Sequence, residues 1–482
     1  MSKNEIRLPR KGMKKAEVLK ALSGFGVGDP DYRGAKTWSL VYYLDEEHTK
    51  FLHDAYGLFF SENALNPMAF VSLKRLEAEV VRMAATMLGG DDKVVGTMTS
   101  GGTESCLLAV KTYRDRARKR QRWLKPEMIV PTSVHVAFEK AAAYFDVKAV
   151  HAPLDKNYQV DVRAVRKLIN RHTVMIVASA PCYPFGMIDP IEDLARVAQR
   201  RGVPLHVDSC LGGFLLPFVE QLGYPLPPFD FRVPGVTSMS ADVHKYGYAA
   251  KGASVVLYRN MDLLKHQFFV YENWPGGIFA SPALLGTRPG GAIAAAWASM
   301  KTIGEDGYLK LAKETMEITR RLIDGVNAIP GLRVVAQPHM SVFCYESTSR
   351  ELNIFAVGDQ MEKRGWHIDR QQRPDSLHAM VTPRHAPVIE QYLADLRDSV
   401  DEVKKHPELG ERGGAAMYGM ISHIPLRGLV RQNVMKMMTE LYGPEGKQPN
   451  LSDEPPDDLA TKAGLLFLRL RDELAKKLER KS

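Results

Sequence analysis

In SADVHKYGYAAKGASVVLYRN, residues 240–260, His244 and Lys245 stand side by side where an apolar run gives way to a glycine-containing turn. A lysine that stays an ammonium belongs in water, because burying an unpaired charge costs several kcal/mol or more. One that forms a Schiff base escapes that cost. Three upstream features add chemistry. Asp208 closes the apolar run PLHVDSC, at the strand end where open α/β sheets hold ligands. His135 lies in PTSVHVAFEKAA. SGGTES leads through Gly101, Gly102 and Thr103 into a helix whose first N–H groups and dipole suit an anion. Taken singly, each has a plainer role as a cap, a turn residue or a lysine reaching water along its stem. As an ordered set they match the needs of pyridoxal 5'-phosphate (PLP). Lysine bonds its aldehyde, a carboxylate keeps its pyridine nitrogen protonated, a flat side chain stacks on its ring and backbone amides take its phosphate.

The elements that must position these residues alternate along the chain. Short apolar runs at Met128, Ala149, Thr173, Pro204, Gly235 and Gly252 are separated by helical stretches such as residues 161–170 and 191–202. Strands spaced by helices predict an α/β domain with a mostly parallel sheet covered on both faces. Residues 74–88 form an amphipathic helix with Leu76, Val80, Met83 and Met87 on one side. Proline and glycine make residues 273–291 a loop. The expected division is an N-terminal arm and substrate entrance (1–60), a large PLP-binding α/β domain (61–305), a small C-terminal α+β domain (306–425) and a helical tail (426–482) ending in a basic amphipathic helix.

At 482 residues and 45% hydrophobic, the chain is long enough for two or three domains. Nothing approaches the roughly 18 apolar residues of a membrane span, and the N-terminus lacks an apolar secretion core, so a soluble, cytoplasmic protein is expected. The four cysteines, Cys106, Cys182, Cys210 and Cys344, follow no C-x-x-C pattern, which implies reduced thiols and no metal site. A net charge of +9 is spread over distant basic clusters without a nucleic-acid-binding module. It suits an anionic, for instance phosphorylated, substrate better.

SGGTES, the H-x-A-F-x-K run at His135, HVDSCLGGF and DVHKYGYAAKGASVVLYRN resemble the fold-type I PLP enzymes of the group II decarboxylase superfamily, and within it the sphingosine-1-phosphate lyases. The resemblance covers about residues 42–303 and includes the GTRPGG loop. It implies Lys245 as the Schiff-base lysine, Asp208 on the pyridine nitrogen and His135 on the ring. Gly102, Thr103, Ser240 and His244 would meet the cofactor phosphate. It further implies a homodimer in which Gly286 and Thr287 reach the neighbouring subunit's PLP. Tyr183 and Lys251 fall at positions the family uses near the reacting bond and the substrate phosphate, and Tyr42 is a further candidate phosphate contact. The implied reaction is retro-aldol cleavage of a phosphorylated sphingoid base to a long-chain aldehyde and phosphoethanolamine. Asn66 stands where family members usually carry histidine, so it can hydrogen-bond a phosphate but neither carry charge nor shuttle a proton. Two other readings stay open here: an amino-acid decarboxylase, and a PLP-free lipid- or nucleic-acid-binding protein. The terminal helix has the make-up for peripheral membrane contact, although a dimer arm or a solvated face is the commoner use.

Overall fold

Seven short runs of mainly β-branched and small apolar residues pair into one sheet. They are β1 (Val95–Thr99), β2 (Glu127–Pro131), β3 (Lys148–Ala152), β4 (Thr173–Ser179), β5 (Leu205–Asp208), β6 (Val236–Ala241) and β7 (Ser254–Tyr258), in the order β1-β7-β6-β5-β4-β2-β3. The pairs from β6 through β3 are parallel, and β7 runs against both its neighbours. This computed structural model describes residues 8–444 apart from 67, 122, 124 and 424–426; the expected basic terminal helix lies outside the described residues.

Side chains alternate across a strand, so the sheet feeds two cores. Ile129, Ile176, Val207, Met239 and Leu257 join one core, while Met128, Val130, Val177, Val256 and Tyr258 join the other. After α1 (Lys15–Phe25), which buries no residue, come α2 (Glu46–Leu58), α3 (Val71–Met87) and α4 (Gly102–Arg120). Helix α3 packs into the first core and α4 into the second. The buried stripe of α3 is Leu73, Glu77, Val80, Val81, Ala84 and Ala85. It is rotated from the expected Leu76, Val80, Met83, Met87 stripe because Glu77 finds a cation inside, as described below.

A segment expected to be a loop contains a hairpin, β8 (Phe269–Trp274) with β9 (Gly277–Ser281). Aromatic and β-branched residues pair across it while Pro275 and Gly276 make its turn. A long helix, Gly290–Asn327, follows and bends at Gly304, whose φ of 64° glycine adopts without strain. Its first half packs in the large domain, and its second half, through Ile318, Leu322 and Val326, in a further core. That core covers an antiparallel sheet of β10 (Leu332–Val334), β11 (Val342–Ser347), β12 (Asp369–Gln371) and β13 (Ser376–Met380), in the order β10-β11-β13-β12.

The N-terminal segment packs against the small domain. Trp38 is fully buried among Trp366, Tyr392 and His385 of the small domain. Its N–H donates to His367 O at 3.2 Å, and its own carbonyl accepts from Met380 N–H at 2.9 Å. Among the described residues, no helix is long and apolar enough to cross a membrane.

Candidate active site

The C-terminal ends of β1, β4, β5 and β6 open on a cavity of about 360 Å³, within the range of small-molecule sites. Parallel register sets Ser179, Asp208 and Ser240 in one row at this end. Asp208 is buried and accepts from Cys210 N–H at 3.1 Å and Ser240 Oγ at 3.0 Å. Ser240, a candidate for the cofactor phosphate, is buried and donates its hydroxyl to Asp208, which it orients. The thiols of Cys106 and Cys210 lie beside this acid, the three groups offering atoms within 4.8 Å of one another.

Strand β6 ends at Ala241, so Lys245 sits on the turn that follows rather than on the strand. Lys245 Nζ is 3.0 Å from Asp242 Oδ2, and His244 Nε2 is 3.6 Å from the same oxygen. Burial pushes the Lys245 ammonium down, but Asp242, Cys210 and Asp208 together outweigh it and the amine is held above its ordinary value. His244 moves the other way, because its burial is only partly offset by Asp242. Burial opposes the charge of Asp242 too, yet Lys245 and His244 together keep its carboxyl below the usual range. Sequence reasoning missed Asp242; the signal was an acid three residues before the lysine.

Helix α4 starts at the cavity. Its first intrahelical bond is Ser105 N–H to Gly101 O, which leaves the preceding N–H groups of Gly102, Thr103 and Glu104 free of partners within the helix. A buried chain of hydroxyls, Thr99–Ser105 at 2.7 Å and Ser105–Ser254 at 2.8 Å, fastens this turn to β1 and β7. A Cβ on Gly102 would come within 2.7 Å of Asp242 Oδ2 and 2.9 Å of Cys210 Sγ, so glycine is what lets the backbone reach the cavity floor. Glu104 accepts from Ser100 N–H and Oγ at 2.7 and 2.6 Å and from Leu284 N–H at 2.9 Å. It thereby ties the loop before Gly286 to α4.

His135 stands exposed on the cavity wall, its Nδ1 accepting from Ala137 N–H at 3.2 Å. Tyr183 also lines the cavity, with its hydroxyl donating to Asp369 Oδ2 at 2.8 Å. Lys251 and Tyr42 make a contact of their own, with Nζ 5.2 Å from the ring centroid. Nζ also donates to Leu40 O and His244 O, both at 3.3 Å. Although part of the Lys251 side chain is exposed, desolvation, aided by Lys245, lowers its amine to about 8. Gly286 and Thr287 are exposed, and Asn66 is turned into its own loop, with Oδ1 accepting from Met68 N–H at 3.0 Å. None of these three lines the cavity within the single chain.

The site residues fit PLP. A partly sheltered lysine and a buried carboxylate share one cavity wall, and a bare-backbone helix start with unpaired N–H groups stands beside them.

Comparison with known proteins points the same way. Residues 60–348 match the model of the pyridoxal-dependent decarboxylase conserved domain. A sphingosine-1-phosphate lyase of Dictyostelium discoideum is 43% identical over 455 residues, covering 93% of this chain and 85% of that protein. The solved Burkholderia pseudomallei sphingosine-1-phosphate lyase has a TM-score of 0.80 and 38% identity over 90% of this chain and 97% of its own. The glutamate decarboxylase of Lactobacillus brevis, with a TM-score of 0.74 but 21% identity over 84% of this chain and 96% of its own, shares the fold. With the lysine, the acid and the helix start in place, the chain belongs to the pyridoxal-dependent decarboxylase family and, within it, to the PLP-dependent sphingosine-1-phosphate lyases.

Proposed function

We propose that this protein cleaves the C2–C3 bond of sphingosine 1-phosphate and related phosphorylated long-chain bases, releasing a long-chain aldehyde and phosphoethanolamine. The observation that carries the reading is the likeness to sphingosine-1-phosphate lyases along nearly the whole chain, with a PLP-competent cavity at its centre. When bound, PLP draws into its ring the electron pair released as a bond beside the substrate nitrogen breaks. Lys245 is the residue placed to bond the cofactor aldehyde, and Asp242 holds its amine in position. Asp208, held by Ser240 and Cys210 N–H, would keep the proton on the pyridine nitrogen. His135 would face the ring, while the N–H groups at Gly102 and Thr103, with His244, would take the cofactor phosphate. Lys251 and Tyr42 bind the substrate phosphate, to which Asn66 adds at most a hydrogen bond. Tyr183 stands at the reacting bond.

The same reading includes a homodimer. Gly286 and Thr287 are exposed beside a hairpin whose Phe269, Trp274 and Ile278 also face outward, and such a patch on a single chain supports a covering partner. A second copy seated there would bring Gly286 and Thr287 to its neighbour's cofactor phosphate.

The test is incubation of the PLP-loaded protein with sphingosine 1-phosphate, following aldehyde and phosphoethanolamine by mass spectrometry beside Lys245→Ala. Both products from the wild type and none from the variant are expected. Carbon dioxide released from glutamate or an aromatic amino acid, without aldehyde from the lipid, would overturn the reading in favour of a decarboxylase.

A further inference from the structure

Retro-aldol cleavage needs a base for the C3 hydroxyl, and the large domain alone offers a poor choice. Lys251 donates to two carbonyl oxygens and is the cation assigned above to the substrate phosphate, a role that requires its amine charged. Lys245 and His244 share Asp242. Tyr183 is different, because its partner comes from the other domain. Its hydroxyl proton points to Asp369 Oδ2 at 2.8 Å, and a phenol that donates one way keeps its oxygen lone pairs free to accept from another.

The placement of that phenol is over-determined. Asp369 on β12 and His378 on β13 are register partners. The His378 ring stacks on the Tyr183 ring with centroids 4.1 Å apart, and its Nε2 donates to Tyr183 O at 3.0 Å. Burial keeps this imidazole neutral, with its pKa lowered to about 4. Thus the aromatic face, the main-chain carbonyl and the hydroxyl of Tyr183 are each held from the small sheet. Arg370, the adjacent cation, is engaged by Asp359 at 2.5 Å and Glu362 at 2.7 Å.

We propose that Asp369 is the positioning residue that completes the base: it holds Tyr183 with the phenol oxygen open to the cavity and takes the Tyr183 proton as Tyr183 takes that of the C3 hydroxyl. This rests on the lyase reading above. The substrate O–H proton passes to Tyr183 Oη, and the Oη proton passes to Asp369 Oδ2. The O–H bonding pair becomes the second C–O bond of the aldehyde, and the C2–C3 pair leaves with C2. No tyrosinate forms, which matters because burial and the Asp369 charge both push the Tyr183 phenol well above its ordinary value. Asp369 is only half-buried, so it can return its proton to water. The base exists only where the two domains meet.

The discriminating variant is Asp369→Asn, whose amide oxygen can accept the Tyr183 hydrogen bond but cannot take its proton. It is studied as PLP-loaded enzyme beside Tyr183→Phe, Asp369→Glu and the double variant, in single turnover with sphingosine 1-phosphate. The expected result is a drop of about 100-fold in the cleavage rate for Asp369→Asn, the size of a lost general base. KM, thermal midpoint and calorimetric binding of the 3-deoxy phosphorylated base should stay unchanged, and Asp369→Glu should recover much of the rate. Tyr183→Phe and the double variant should match Asp369→Asn. The wild type should give a curved proton inventory for two protons in flight, and the variants should not. Cleavage by Asp369→Asn within a few-fold of wild type, with the two-proton signature intact, would reduce Asp369 to an interdomain latch and overturn the proposal. Wild-type enzyme that makes no aldehyde would fail at the earlier step, removing the lyase reading and this base with it, and is told apart because no variant comparison is needed to see it.

Discussion

At the scale of single residues, the two lysines of the site differ in whether a buried charge has an opposite partner. Lys245 is tolerated inside because Asp242 is 3.0 Å away, before any cofactor is considered. Lys251 has no such partner, and desolvation lowers its amine to about 8. The cation we propose for the substrate phosphate is therefore lost as pH rises through about 8. For wild type, kcat/KM is expected to fall roughly tenfold per pH unit above that value through this group. Lys251→Arg, which stays charged throughout, should carry activity to higher pH. Rate profiles of the two proteins check this, and coincident alkaline limbs would remove Lys251 from phosphate binding.

At the scale of elements, the loop bearing Gly286 and Thr287 is fixed by one buried ion pair. Arg288 from the loop meets Glu77 of α3 at 2.7 Å, both side chains almost fully buried. Glu77 also accepts from Met98 N–H at 3.0 Å, while Arg288 donates to Met98 O at 3.3 Å. Helix, strand and loop are thus clamped at one point. Arg288→Ala leaves the carboxylate with the Met98 N–H and, as cation, the exposed Lys74 at 3.8 Å, and should cost about 3–5 kcal/mol, the usual result of breaking a buried pair. Glu77→Gln combined with Arg288→Met, which removes both charges, should cost less. Denaturant unfolding of the three proteins measures the difference, and equal losses would mean that packing rather than charge holds the loop. This pair also explains why the buried stripe of α3 departs from its apolar periodicity, since a glutamate reads as a solvent-facing residue until its cation is located 211 positions away.

For the whole molecule, two expectations concern stability and assembly. His206 and His378 are buried, and burial lowers each from the ordinary 6.5 to about 4. The unfolded chain binds these protons more readily, so their stability is present in full above pH 6.5 and is lost as pH falls towards 4. That amounts to roughly 3 kcal/mol per histidine. Asp189, raised to about 6 by burial, acts in the opposite sense, gaining stability as pH falls through that window. Two imidazoles outweigh one carboxyl, and the thermal midpoint should therefore drop between pH 6.5 and 4; a flat profile would show that the imidazoles protonate without cost. For assembly, Trp274 and Ile278 are 53% and 78% exposed on the hairpin. If the proposed dimer forms through this hairpin, replacing both with serine should shift it to monomer in sedimentation and weaken its hold on PLP. An unchanged dimer would move the interface elsewhere.

The sequence by itself determined the parallel α/β class and the order of lysine, acid, histidine and glycine-rich helix start. These are local signals: strands read as short apolar runs, Asp208 ends one, His135 and Lys245 follow others, and Gly102 opens a helix. It also carried the family resemblance that the relatives bear out. The hairpin went unread because its glycines and prolines look like a loop until two exposed strands pair. The burial of Trp38 in the small domain, the commitment of Ser240 to Asp208 and the hold of Asp369 on Tyr183 were decided by tertiary structure alone. Each joins residues distant in sequence, and a hydrogen bond or a desolvated charge leaves no periodic trace in the chain that makes it. Asp242 lies between the two cases. It sits three residues before Lys245, but only the turn after β6 folds its carboxylate back onto the amine.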